Sequence, residues 1–418
     1  MASPTFTELP DDIQVNIFSF LNPCEISAVA CTSRRFSPLP GSPSLWLAMC
    51  ERRWGQFTSP ALWGPNCTPR RLYRALDQWE NLIGFWRRIG HGHGSGGADA
   101  TCHPLLFFQW NSDCITGSLV SPCAEPGSYC VLKSPFLWLG MSQDGEMVSY
   151  RQLQEEHELE AGPGSDPVQA TVSFVGPNHL VVEPNGGFRS GDEDMEVVMG
   201  IESSSPPDQA TLQMYQYFAN RTSPCGEKGV RRQRRRERER RKSGLVTEHF
   251  VRITHYCPTP TRPLQGLWKG ICENRSLEFY LVAYDDIGGI TCRRVGEPGT
   301  QFSGYSPIFW TPNADFIEPP FSKEEYKIYT SREHLRGDTF SLESRLVSRI
   351  LCINSSYDLV IPDLTGAPGG NLRNVEGRVW EYDDGTFGFG FLRNDYIVDL
   401  KHVALDGQLL DSVGKSRM

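Results

Sequence analysis

The sequence predicts an α+β protein, in which N-terminal helices precede a largely antiparallel β-barrel body with a helical insertion. Three observations support this fold class. Apolar residues recur at spacings of three and four up to about residue 55, which is the period of an amphipathic helix. From about residue 82, short runs of β-branched and aromatic residues alternate with Gly, Pro, Asn and Asp. This pattern is typical of antiparallel sheets. Around residues 190–260, helix-forming and basic stretches interrupt this pattern of strands and turns.

Composition narrows the classes of function. The 418 residues allow two or three domains, and a formal net charge of -9 argues against a protein that binds polyanions as a whole. Thirteen cysteines are scattered without a CxxC pair, as expected for a reducing cytosol or nucleus. No apolar stretch approaches the ~20 residues of a membrane helix, and no signal peptide is visible. We therefore expect no membrane interaction.

The first helical region carries an apolar stripe. In "TELPDDIQVNIFSFLNPCEIS", Leu9, Ile13, Ile17 and Leu21 are four residues apart, and Pro10 stands at the expected first helical position. Asn22 and Pro23 should end this helix, a second short helix should carry Ile26, Val29 and Ala30, and the prolines at 38, 40 and 43 should prevent a further one before Leu45. A helical segment of this size cannot bury enough surface alone. The stripe must therefore pack on the body or on another protein.

A helical linker is predicted at 56–81. Within it, "PRRLYRALDQWEN" (69–81) places four apolar residues on one side of a helix. They are Leu72, Ala75, Leu76 and Trp79.

The predicted body spans residues 82–418. Candidate strands lie at 104–110, 114–120, 129–133, 146–152, 169–176, 179–184, 277–285, 288–296, 377–392 and 395–405. A weak internal repeat links "LIGFWRRIG" (82–90) to "LQGLWKGIC" (264–272). In a barrel, such a glycine allows the strand to bend, the tryptophan closes the end, and a cation can cover the indole. Coincidence in a Trp-rich chain is the alternative interpretation of the repeat.

Two polar segments need separate interpretation. In the run 231–242, nine of twelve residues are basic. Three interpretations are open: first a solvated helix or loop, second a nuclear localisation signal, and last a patch that binds nucleic acid. The segment "HGHGSGGADATCH" (91–103) contains possible zinc ligands, but its spacing fits no structural zinc site and its Gly/Ser run favours a loop. The side chains in this segment that could bind zinc are His91, His93, Cys102 and His103. We expect no metal and no cofactor.

The N-terminal segment from Leu9 to Gly55 resembles an F-box, because Leu-Pro, an acidic pair, a Phe-Leu ending and a later Leu-Trp follow in that order. The resemblance implies an F-box over residues 1–55 that binds a Skp-type adaptor and, through it, a cullin scaffold. Family members are substrate receptors of SCF ubiquitin ligases. The residues that the resemblance assigns to adaptor binding are Leu9, Pro10, Ile13, Ile17, Phe20, Leu21, Ile26, Val29, Cys31, Phe36 and Trp46.

The body is similar to that of the F-box only protein 31 group, in the segments 266–298 and 377–392 and in the order of its elements. This implies a barrel that captures a target protein, in that group often through a C-terminal tail. The zinc site of the animal members has no counterpart, because 170–187 contains one histidine and no cysteine. Candidate target-binding residues lie on the two Gly-x-Trp strands: Trp86, Arg87, Trp268 and Lys269. The two cations would anchor an acidic group or else cover the tryptophans.

No catalytic motif is present: the chain contains no GxSxG, P-loop or HExxH pattern. We therefore expect a non-catalytic receptor that promotes ubiquitin transfer by holding its target close to a conjugating enzyme. Two alternatives remain open at this point, a lipocalin-like small-molecule carrier and a nucleic-acid-associated regulator. We expect a cytoplasmic or nuclear location, or both.

Overall fold

The structure, a computed structural model, describes residues 6–64, 66–89, 105–152, 167–185, 247–295, 308–337, 346–355, 375–405 and 407–414. The predicted loop at 91–103, the basic run at 231–242 and most of the predicted insertion lie outside these residues. The described helices are α1 Asp11–Phe18, α2 Pro23–Thr32, α3 Pro43–Trp54, α4 Pro69–Trp79 and α5 Lys323–Thr330.

The described part of the body contains two closed antiparallel barrels instead of the single barrel that the sequence predicts. In the first sheet, the strand order is β21-β4-β3-β2-β1-β8-β7-β6-β5, and the pairing of β4 with β5 closes eight of these nine strands. The strands are β1 Gly84–Ile89, β2 Leu105–Trp110, β3 Ile115–Pro122, β4 Val131–Met141, β5 Met147–Arg151, β6 Val168–Gly176, β7 His179–Pro184, β8 Glu248–Arg252 and β21 Ser412–Gly414. Because β8 lies at 248–252, the insertion predicted over about 190–260 ends before that strand.

The second sheet runs β12-β11-β10-β9-β18-β17-β16-β15-β13, and pairing of β12 with β15 closes eight of its strands. A short strand, β14, pairs with β18 outside the barrel. The strands are β9 Gly266–Ile271, β10 Leu277–Tyr284, β11 Ile290–Val295, β12 Phe309–Thr311, β13 Phe316–Ile317, β14 Glu333–Leu335, β15 Val347–Ser355, β16 Glu376–Tyr382, β17 Phe387–Phe391 and β18 Tyr396–His402. The chain then forms the hairpin β19 Ala404–Leu405 and β20 Gln408–Leu409.

The repeated Gly-x-Trp motif marks the first strand of each barrel. Trp86 in β1 and Trp268 in β9 are both fully buried, and each indole Nε1 donates to the carbonyl oxygen four residues earlier, at 2.7 and 3.0 Å. The two tryptophans therefore occupy equivalent positions, which explains the internal similarity of 82–90 and 264–272.

Both motif glycines need the freedom of a residue without a Cβ. Gly84 has φ 114° and Gly266 has φ 145°, values that other residues rarely adopt. A Cβ on Gly84 would also come within 2.9 Å of the Tyr256 ring. The glycines thus allow the chain to turn sharply into each barrel.

The barrels pack on each other through outward-facing residues of the same two strands. Phe85 and Leu267, which precede the tryptophans and point to the opposite faces, lie together in one buried cluster. The C-terminal segment strengthens the contact, because after β18 it crosses to the first barrel, where β21 pairs in parallel with β4. This packing joins the two barrels.

The helical linker covers the first barrel. All four residues that the sequence places on the buried side of the 69–81 helix are buried, as predicted: Leu72, Ala75, Leu76 and Trp79. They share one core cluster with Trp86 of the barrel and with the N-terminal helices. In the second barrel, α5 covers an outer face, where Ile328 and Tyr329 pack on the buried Trp380.

Candidate adaptor interface

The start of α1 is set by Pro10. Its extended backbone, φ -54° and ψ 150°, makes it the residue before the helix, so α1 begins at Asp11, one residue later than predicted. The Pro10 carbonyl oxygen accepts the first helical hydrogen bond, from the Gln14 N–H at 3.0 Å. Asp11 and Asp12 occupy the first turn, where negative charge interacts favourably with the helix dipole.

The turn into α2 is a capping box. Asn22 Oδ1 accepts a hydrogen bond from the Glu25 N–H at 2.9 Å, and Glu25 Oε2 accepts one from the Asn22 N–H at 2.8 Å. Pro23 occupies the first helical position, where its missing N–H is not needed. This local chemistry fixes the residue at which α2 begins.

An aromatic cluster joins α1 to the segment before it and to the turn that follows α2. The rings of Phe6, Phe18 and Phe36 contact one another edge to face, with centroids 5.2 to 6.1 Å apart. Ile26 and Trp46 are buried in the same core, and the Trp46 Nε1 donates to the Pro40 carbonyl oxygen at 2.9 Å. The buried interior of the helical head is therefore continuous with that of the linker and the first barrel.

The opposite side of α1 is apolar and exposed. Ile13 and Ile17 are each 43% exposed and Phe20, just beyond the helix, is 67% exposed. Their spacing of four and three places them on one face, whereas Gln14 and Phe18 point into the core. We call Ile13, Ile17 and Phe20 the α1 ridge.

Arg52 of α3 supports the end of the α1 ridge. Its guanidinium lies 4.8 Å from the centroid of the Phe20 ring, and its Nε donates to the Ser19 carbonyl oxygen at 2.7 Å. Both contacts hold Phe20 in an exposed position. An apolar side chain held in solvent by a dedicated contact is the kind of group that a partner protein buries.

The remaining residues that the resemblance assigns to adaptor binding divide by burial. Pro10 and Cys31 are exposed, and four residues are partly exposed: Leu9, Leu21, Val29 and Phe36. Ile26 and Trp46, by contrast, are only 1% and 6% exposed. These two side chains pack in the core and are not accessible on the surface of the head.

Arg53 connects the head to the linker. Its guanidinium donates to Asp77 at 2.7 Å, pairs with Glu80 and lies 4.5 Å from the Trp54 ring centroid. Arg53 belongs to α3, whereas Asp77 lies in α4 and Glu80 directly after it. The ion pairs therefore clamp the two helices together. These ion pairs add to the core packing of α3 and α4, which positions the head on the first barrel.

The candidate target-binding residues do not form one accessible mouth. Trp86 and Trp268 are inside their barrels with no exposed area, and Arg87 is partly exposed. Lys269 is also fully buried, on the strand face opposite Trp268. The structure therefore leaves Arg87 as the accessible residue of the four.

Lys269 has a structural partner. Its Nζ donates to the Leu410 carbonyl oxygen at 2.8 Å and lies 2.9 Å from Asp411 Oδ2. Burial lowers the Lys269 pKa, against the opposing effect of Asp411. Lys269 therefore binds the C-terminal segment, and the face of Trp268 is covered by the His402 ring instead, with centroids 3.9 Å apart.

A polar cleft of about 310 Å³ lies between the β9–β10 turn and β14. Its wall includes His334, whose Nδ1 is 3.0 Å from the buried Asp399 carboxylate, and the Tyr382 hydroxyl donates to the same carboxylate at 2.7 Å. Burial and Asp399 raise the pKa of Tyr382. No sequence motif indicated this group, because its members come from three separate elements.

The interiors of both barrels are filled with side chains. Aromatic and aliphatic residues from opposite strands form a continuous core in each, and the described clefts lie on outer surfaces. Eight strands leave room for such a core or for one small ligand. The packing thus argues against the lipocalin-like alternative. Among the helices of the described residues, none has the length and apolar character to cross a membrane.

Comparison with known proteins adds two findings. Residues 6–52 match the model of the F-box-like family. Over 433 aligned positions the chain is 43% identical to F-box protein At3g12350 of Arabidopsis thaliana, covering 98% of this chain and 97% of that protein. The family match spans α1, α2 and most of α3, and so includes the whole α1 ridge.

Proposed function

This chain belongs to the F-box protein family, and we propose that it is the substrate-recognition subunit of an SCF-type ubiquitin ligase. The helical head binds a Skp-type adaptor, the adaptor joins it to a cullin scaffold, and the body binds a target protein. The chain supplies no catalytic group in this scheme. It promotes ubiquitination by holding the target near a conjugating enzyme, which makes the encounter effectively intramolecular.

The observation that carries the proposal is the α1 ridge. Ile13, Ile17 and Phe20 are exposed, whereas other residues form the buried cluster that holds the head together, so the exposed area of these three side chains is available to a partner. Burial of this area by an adaptor provides part of the binding energy. Pro10 and Cys31, which are exposed as well, extend the proposed interface.

The decisive experiment is a pull-down of the full chain with mass spectrometry, in cells with and without a proteasome inhibitor. We expect a Skp-type adaptor and a cullin in both samples, and target proteins that accumulate only with the inhibitor. Absence of the adaptor from both samples would contradict the proposed function. The recovered targets then serve in the binding assays below.

We propose further that the target binds to the surface of the barrels and that Arg87 contributes a cation. The matched pair of variants is Arg87→Met and Lys269→Met. Arg87→Met should weaken binding of a recovered target without changing the melting temperature, because Arg87 is partly exposed. Lys269→Met should lower the melting temperature, because Lys269 is buried against Asp411. Unchanged target binding by Arg87→Met would exclude this residue.

We propose a cytoplasmic or nuclear location, with the basic run 231–242 as an import signal. Replacing Arg234, Arg235 and Arg236 with alanine in a fluorescent fusion should shift the protein toward the cytoplasm. If the fusion protein keeps the same distribution between nucleus and cytoplasm, the run 231–242 is a solvated segment and not an import signal. Binding of the purified chain to DNA that falls steeply with salt would instead favour the nucleic-acid alternative.

A further inference from the structure

The hairpin between β3 and β4 carries a cysteine on each side of its neck. Cys123 follows the last residue of β3 and Cys130 precedes the first residue of β4. They are directly opposite each other, since the adjacent residues Pro122 and Val131 form the last pair of the ladder and the Cys123 N–H donates to the Cys130 carbonyl oxygen at 3.1 Å. Their Sγ atoms are 2.9 Å apart, and both residues are partly exposed.

This arrangement suits a disulfide. Directly opposed residues of an antiparallel pair have Cα atoms about 4.5 to 5.5 Å apart, within the range that disulfides require. Bond formation needs the sulfur atoms to approach by about 0.9 Å, given a bond length of about 2.05 Å. Side-chain rotation alone can supply such a movement.

We propose that Cys123 and Cys130 are a redox modification site that forms a reversible intramolecular disulfide. With oxidised glutathione as the oxidant, the Cys123 thiolate attacks one glutathione sulfur and releases the other as a thiolate. Cys130 then loses its proton and attacks the Cys123 sulfur, which releases the second glutathione thiolate. The two protein thiols are oxidised, one glutathione disulfide is reduced, and the two protons end on the two glutathione molecules.

The environment of the pair sets the order of the two steps. Burial and the neighbouring Cys123 raise the pKa of Cys130 to about 11. The raised pKa disfavours the Cys130 thiolate, so we take Cys123 as the first attacking thiol, and the Cys130→Ser variant below tests this order. Cys130 acts as the resolving thiol because it is in contact with the sulfur that carries the glutathione.

The disulfide would act on a contact between the barrels. The loop that it closes carries Gly127, whose N–H donates to the Arg275 carbonyl oxygen, and Tyr129, whose hydroxyl donates to the Asp399 carbonyl oxygen, both at 2.9 Å. Gly127 also lines the polar cleft of the second barrel. Closing the neck of the loop removes conformational freedom from this bridge and from one wall of the cleft.

The test uses the purified full chain in glutathione buffers from fully reduced to fully oxidised, followed by alkylation of free thiols. Chymotrypsin cleaves after Tyr129 and separates the two cysteines, so a disulfide appears as a linked peptide pair. We expect loss of two alkylatable thiols, appearance of the linked pair with oxidised glutathione, and reversal by dithiothreitol. Alkylation of both cysteines in every buffer, or mixed disulfides without a linked pair, would overturn the proposal.

Two variants sharpen the result. Cys130→Ser should accumulate one glutathione on Cys123, because the resolving thiol is gone, and failure to do so in a folded variant would refute the order of attack. Cys352→Ser removes an exposed thiol on β15 and should leave the linked pair unchanged. If Cys130→Ser does not fold, the wild-type digest decides alone. The outcome is independent of adaptor binding, so it neither supports nor weakens the proposed ligase function.

Discussion

The sharpest test of the proposed adaptor interface is the double substitution of Ile13 and Ile17 by Asp. Each side chain keeps 43% of its area exposed, and full burial of an Ile stabilises by about 1.5–3 kcal/mol. The area still available to a partner is therefore worth about 1.3–2.6 kcal/mol for both residues together. Each of the two carboxylates placed in an apolar interface adds a desolvation penalty of about 1–3 kcal/mol or more.

The expected loss of adaptor affinity is thus about 3–9 kcal/mol, which weakens Kd by at least roughly 150-fold. Titration calorimetry of the purified full chain with a Skp-type adaptor measures this loss directly. Ile287→Asp is the matched control, since Ile287 is 86% exposed on a turn of the second barrel and should not affect adaptor binding. Circular dichroism should show a folded body in both variants.

One result would refute the reasoning. If the double variant is folded and its Kd for the adaptor is within about threefold of wild type, the α1 ridge does not form the interface. Loss of binding by Ile287→Asp as well would indicate a general defect and would equally contradict the assignment. Phe20→Asp provides an independent check, because 67% of this side chain is exposed at the end of the ridge.

Three further predictions concern stability. Burial lowers the pKa of His402 to about 4, so the folded state binds fewer protons than the unfolded state between pH 6.5 and 4. The free energy of unfolding should therefore fall by about 3 kcal/mol as the pH drops through that window. His402→Phe should remove most of this pH dependence in thermal melts. The lowered pKa of Lys269 means that stability should rise with pH toward the unfolded pKa of 10.5. Asp411→Asn leaves a buried ammonium without its carboxylate, so it should lower the melting temperature and make this rise begin at lower pH. Arg378 donates to both oxygens of Glu325 at 2.9–3.2 Å. Because both side chains are partly buried, Arg378→Met should cost about 1–3 kcal/mol in chemical denaturation. Adding Glu325→Gln should recover part of this loss, whereas additive losses would contradict a specific pair.

Local patterns predicted the elements that depend on neighbours in the chain. The helical period identified α1 and the buried side of α4, and the turn residues separated most strands of the body. The prolines were interpreted less well: Asn22 and Pro23, which were expected to end the first helix, open α2, and Pro43, which was expected to prevent a helix before Leu45, is the first residue of α3. Such features are decided by residues within one or two helical turns.

The number of barrels could not be predicted in this way. Closure depends on the pairing of β1 with β8, more than 150 positions later, and of β9 with β18. The sequence shows that strands exist but not which strands pair. The strand β15 was absent from the prediction altogether, although it pairs along its whole length with β16.

The candidate sites divide along the same line. The sequence alone determined the F-box character of the head and the spacing of Ile13, Ile17 and Phe20, because one face of one helix is a local property. Only the tertiary structure decided that Ile26 and Trp46 turn inward, that Lys269 binds Asp411, and that His334 meets Asp399. Burial and ion pairing depend on which distant segments pack together, and that information resides in the folded chain as a whole.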